Sequence, residues 1–104
     1  MNPRNLTFDN LYYLDDRHQV IKAESFEEWA AHFSFGHPVA SDQVGQAEVN
    51  TVFLGHGSFE RTAQPVLFET MIFGGPKDTC CWRWSTWDEA MAGHQRIVES
   101  LRDL

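Results

Sequence analysis

Between Glu48 and Trp87 the chain carries three β-type runs in succession, and the third leads straight into a capped helix. The first run is Val49-Asn50-Thr51-Val52-Phe53-Leu54-Gly55. The second extends from Val66 to Gly75, and the third is Cys80-Cys81-Trp82-Arg83-Trp84-Ser85. β-Branched and aromatic residues dominate all three, as the pleated surface of a sheet favours. Gly74-Gly75-Pro76-Lys77-Asp78 between the last two is a turn signal. This order confines the chain to a small antiparallel sheet with a helix lying across it.

The last helix is expected from Trp87 to Arg102. Thr86 and Glu89 have the spacing of a capping box, and Asp88 with Glu89 complements the positive end of the helix dipole. Trp87, Ala90, Met91, His94, Ile97, Val98 and Leu101 form an apolar stripe at helical spacing. Upstream, Asn10 to Leu14 and Gln19 to Ala23 read as a β-hairpin around the polar turn Asp15-Asp16-Arg17-His18. Glu24 to Ser34 reads as a helix, with Ser25 and Glu28 as its capping pair and Gly36 as its stop. Phe26, Trp29, Ala30 and Phe33 are its apolar stripe. His37 to Ala47 has no clear period and reads as loop. Gly55 to Pro65 reads as a long polar connection. The expectation is one α+β domain over residues 1–104, a four- or five-stranded antiparallel sheet in the order ββαβββα, with the last helix packed on one face.

The 104 residues are enough for one modest core. Eight Phe and four Trp are a large share of so short a chain, so a surplus of rings is available for a binding surface. A net charge of −7 argues against a general nucleic-acid binder and against an anionic membrane surface. No apolar run has the length of a membrane-crossing helix, and the first residues lack the apolar core of a signal peptide. Cys80 and Cys81 are neighbours in a strand and point to opposite faces, which makes a mutual disulfide geometrically poor. These features point to a reduced, cytoplasmic protein.

Three residues are candidates for chemistry. Glu69 interrupts an apolar strand and shares a face with Leu67, Met71 and Phe73. It is a candidate acid or base, an open-face residue, or one half of an ion pair with Arg83. His94 lies on the apolar helix stripe and should face the sheet, where its ring needs a hydrogen-bond partner. Glu69 is the expected partner. His56 sits between Gly55 and Gly57, where backbone can approach a ligand closely. Two histidines and a carboxylate are a known metal set, but no close ligand spacing is present, and no metal or cofactor is expected. Ser58 lacks the pattern of a nucleophile elbow, and neither cysteine has a helix N-terminus beside it. Trp82 and Trp84 share a face of the third run. They are either core under a helix or, on an exposed face, the contact residues for a protein partner.

The segments Thr51 to Gly55, Leu67 to Gly75 and Ser85 to Ala90, together with Gly93-His94, resemble a group of small uncharacterised bacteriophage and prophage accessory proteins. Tyr13-Leu14-Asp15 and Phe26 to Ala30 share the likeness, which covers most of the chain. In that group the Thr-Val-Phe-Leu-Gly segment leads into Leu-Asp-His. Here Gly55 leads directly to His56, so only this histidine carries over. The resemblance implies a mobile-element accessory product and no established activity. The leading expectation is a non-enzymatic interaction module that binds a host or phage protein, modulates a host process such as a defence system, and self-associates as a dimer. The alternative is a small enzyme or ligand-binding protein using His56, Glu69 and His94. A third is an acidic mimic of nucleic acid.

Overall fold

The computed structural model describes residues 11–32, 38–56 and 65–104. It is α+β: a two-stranded sheet, a four-stranded antiparallel sheet and a long C-terminal helix. The small sheet pairs β1 (Tyr12–Leu14) with β2 (Val20–Lys22), the expected hairpin. Helix α1 (Phe26–His32) follows. Then come β3 (Pro38–Val44), β4 (Ala47–Phe53), β5 (Phe68–Phe73) and β6 (Cys81–Trp84), each paired with the next, and α2 (Trp87–Arg102).

Helix α2 has the expected bounds. Thr86 Oγ1 accepts from Glu89 N at 3.1 Å, and the Glu89 carboxylate accepts from Ser85 N at 3.1 Å, so two otherwise unpaired donors are satisfied at the helix start. Ala90, Gly93, His94, Ile97, Val98 and Leu101 are buried. Met91, placed in the stripe from sequence, is 40% exposed and faces outward instead.

One face of the large sheet receives this helix. Ala47, Val49, Thr51 and Phe53 of β4 and Phe68, Thr70 and Ile72 of β5 all point into it and are buried. Burying a side chain the size of Val, Leu or Phe stabilises by about 1.5–3 kcal/mol. The core divides in two. Val49, Ile72, Val98 and Leu101 lie at one end, with Phe53, Leu67, Phe68 and Ala90 at the other. Trp84 packs against both.

Segment 38–44 is a strand, not loop. Its register with β4 runs from Asp42 opposite Val49 to Val44 opposite Ala47. Gly45 and Gln46 close the hairpin, and Gly45 takes φ +60°, the left-handed value that a two-residue hairpin loop asks of its first central residue. Polar residues fill much of β3, so pairing with β4 imposes the strand rather than propensity.

Helix α1 is shorter than the 24–34 span, and none of its residues is buried. Phe26 is 49% exposed, so the Phe26–Trp29–Ala30 stripe is not a core face. Phe33 and the stop at Gly36 lie outside the described residues, as does most of the connection over 57–64. The capping pair is present: Ser25 Oγ accepts from Glu28 N at 3.0 Å, and Glu28 accepts from Glu24 N at 3.0 Å. Trp29 Nε1 donates to the carbonyls of Tyr12 (3.0 Å) and Gly55 (2.9 Å), which fastens α1 and the hairpin to the end of β4. The Tyr13 hydroxyl donates to Glu28 at 2.6 Å. That bond raises the phenol pKa above its ordinary value and holds the Glu28 carboxyl below its own.

Candidate functional site

The structure places the three candidate residues in different surroundings. Glu69 and His94 lie on opposite sides of the large sheet, so the expected pairing between them is absent. Glu69 alternates with Phe68 and Thr70, which point to α2, and therefore sits on the other face with Met71 and Phe73. Leu67, grouped with it by parity, precedes the strand and is buried in the core. His56 is exposed at the end of β4, in an antiparallel bridge with Leu11. Among the described residues no group of three or more His, Cys, Asp and Glu side chains is placed to hold a metal ion.

His94 is 2% exposed and has two partners. Its Nδ1 is 2.7 Å from Thr51 Oγ1 and its Nε2 is 2.7 Å from Asp42 Oδ2. Thr51 Oγ1 is 2.5 Å from Thr70 Oγ1, which accepts from Trp84 Nε1 at 2.9 Å. One set of proton positions satisfies the whole row. Trp84 donates to Thr70, Thr70 to Thr51, Thr51 to His94 Nδ1, and His94 Nε2 to Asp42. Trp84, Thr70, Thr51 and Asp42 come from four consecutive strands, and α2 supplies the histidine. Asp–His–Thr is the connectivity of a nucleophilic triad. Here the hydroxyl is sealed between helix and sheet, with Thr51 0% exposed, so no substrate reaches it. The row holds helix to sheet.

Gly93 completes this arrangement. The Trp84 ring lies against its Cα, and a Cβ there would collide with the ring atoms Cη2 and Cζ2. Arg96 stands over the same indole at 6.0 Å from the ring centroid. Trp84 is therefore half-buried and packs against both core clusters. Trp82, on the same side, is 37% exposed where β6 forms the sheet edge. The two tryptophans do not make one open aromatic face.

The open face carries a different set. Rows across it are Gln43, Glu48 and Phe73, then Ser41, Asn50, Met71 and Cys81, then Val52, Glu69 and Arg83. Val52 and Met71 are half-buried, and Phe73 is 47% exposed. Arg83 Nε donates to Glu69 Oε2 at 3.1 Å, the ion pair that was one of the readings of Glu69. The pair raises the Arg83 pKa. The Cys81 thiol also donates to Glu69 Oε2, at 3.2 Å. Desolvation first, then this carboxylate, push its pKa up, so the thiol stays protonated and a poor nucleophile. Among the described residues no helix lies over this face.

A third feature is a cleft of about 430 Å³ between the β1–β2 hairpin and the start of α2, lined by Tyr12, Arg17, His18, Leu67 and Trp87 among others. His18 takes a left-handed φ of 63°, and its ring stacks on Trp87 at 3.7 Å and 6°. The sequence marked this segment only as a turn. The stack pins the hairpin tip to the helix start. No described helix is long and apolar enough to cross a membrane. No protein-family model, curated protein or solved structure matches the chain.

Proposed function

We propose that this chain is an accessory protein of phage or prophage type that acts in the cytoplasm of a host cell by binding another protein, thereby modulating a host process such as a defence system. The observation that carries this reading is the open face of the four-stranded sheet. Val52, Met71 and Phe73 form an apolar strip bordered by Ser41, Asn50, Glu48 and the Glu69–Arg83 pair, an apolar centre with a polar rim. The partner is a folded protein with a basic rim around an apolar patch, which matches Glu48 and the net charge of −7. The free thiols Cys80 and Cys81 suit a reducing compartment, and the segments around Thr51–Gly55 and Ser85–Ala90 carry the phage likeness.

The test is capture from a lysate of the bacterial host with three baits: wild type, Phe73→Lys on the open face, and Gln95→Lys on the exposed side of α2. A partner held by wild type and Gln95→Lys, lost with Phe73→Lys and released by salt, supports the reading. Equal retention by all three baits overturns it.

A further inference from the structure

We infer that the outer edge of β6 is a self-association edge, where β6 of one chain pairs antiparallel with β6 of a second copy to make a continuous eight-stranded sheet. Among the described residues the large sheet has two edges, β3 and β6. The β3 edge is guarded: it begins with Pro38, breaks register between Pro38 and Ala40, and spends the Asp42 carboxylate on His94. β6 is Cys-Trp-Arg-Trp, with no proline, no bulge of its own and its one charge paired to Glu69.

Ladder geometry sets which backbone groups β6 offers. Ile72 N donates to Cys80 O at 3.0 Å, so hydrogen-bonded pairs alternate from there to Thr70–Trp82 and Phe68–Trp84. The N–H and C=O of Trp82 and Trp84 therefore face β5. Those of Cys81 and Arg83 face outward and have no backbone partner among the described residues. At the Arg83 end of the strand a shallow groove of about 570 Å³ lies between β6 and α2, lined by Arg83, Trp84, Ala92 and Arg96 among others.

Only one self-register uses all four groups. With Cys81 opposite Arg83 of the second copy, and the reverse, four hydrogen bonds form around a two-fold axis. A shift that centres on Arg83 sets two like charges directly opposite and uses one outward pair within the strand. A shift that centres on Cys81 also uses one, because Thr79 leaves the strand with a φ of 72°. In the favoured register the two copies of Trp82 stand opposite each other at a non-hydrogen-bonded position, about 4.5 Å between Cα atoms, where cross-strand rings pack closely. That contact covers the exposed part of Trp82 and places each Arg83 across from a neutral thiol. A second copy meets the donors, acceptors and rings of this edge one for one, so it is the occupant.

Sedimentation of the reduced full chain from about 20 µM to about 1 mM tests the inference. The expected mass at the upper end is twice 12.0 kDa, and Trp82→Lys, which sets two charges face to face, stays monomeric throughout. In a Cys80→Ser/Cys81→Ser background, Trp82→Cys should cross-link into covalent dimers on mild oxidation, whereas Gln43→Cys on the β3 edge should not. These two arms keep the test decisive where Trp82→Lys does not fold. A monomer at about 1 mM, or cross-linking through position 43 as readily as through 82, overturns the inference. Phe73→Lys should leave the mass unchanged, which separates this edge from the open-face binding site.

Discussion

The two faces of the four-stranded sheet use the same strands, residue by alternate residue, and end up chemically opposite. Under α2 the polar groups are few and consumed: Thr51, Thr70, His94 and the Trp84 indole satisfy one another in a single row. On the other face the side chains are more polar and more mixed, and Val52, Met71 and Phe73 meet no helix among the described residues. The contrast teaches where change is tolerated. A group on the covered face is bound to its neighbours by geometry, whereas a group on the open face answers to solvent or to a partner.

The sharpest test of the covered face is His94→Ala. It removes a buried ring and leaves the Thr51 hydroxyl short of a partner, so it should cost about 3 kcal/mol in urea unfolding. His94→Gln should recover part of this by reaching one of the two partners. A melt like that of wild type would break the claim that the row is structural. Gly93→Ala comes next. The added methyl gains about 1 kcal/mol of helix propensity but drives into the Trp84 ring, for a net loss of about 2 kcal/mol. In a Trp84→Leu background the same change should be neutral or stabilising, a non-additivity that a double-mutant cycle reads directly.

On the open face the expected effects shrink. Glu69→Gln breaks an ion pair whose arginine side chain is 52% exposed, so it should cost about 0.5 kcal/mol. It should also let the Cys81 thiol pKa fall, because the carboxylate that disfavours thiolate is gone while desolvation remains. Alkylation of Cys81 at fixed pH, in a Cys80→Ser background, should therefore speed up. Phe73→Ser should change stability least, by under about 0.5 kcal/mol. A large loss there would mean that the face is covered.

Much of the covered half was legible from residue order. The caps at Ser25 and Thr86, the bounds of α2, the hairpin and the pairing of residues 49–54 with 66–73 follow from spacing and turn chemistry. The error that propagated was β3. Ala40-Ser41-Asp42-Gln43 has little strand propensity of its own, so the segment reads as loop and nothing in the sequence brings Asp42 to His94. Glu69, the one carboxylate within the apolar run 66–75, stands in that role from sequence alone. The face of β5 was a separate ambiguity. Phe68 and Ile72 are apolar at one parity, Leu67, Met71 and Phe73 at the other, and alternation alone does not choose between them. A signal was present in Gly93. A glycine on the buried stripe of a helix asks for a large ring against it, and that would have turned Trp84 inward.

The link between Asp42 and His94 spans 52 positions of the chain. β3 is synthesised first among the large-sheet strands, yet its inner carboxylate waits for the last helix. Until residues 87–102 have emerged from the ribosome, the meander from β3 to β6 exposes Val49, Phe53, Phe68 and Ile72 on a bare surface. Docking of α2 removes that surface and closes the Thr–His–Asp row in one event. A nascent chain arrested before α2 is therefore a sticky half-sandwich, and a natural substrate for chaperones.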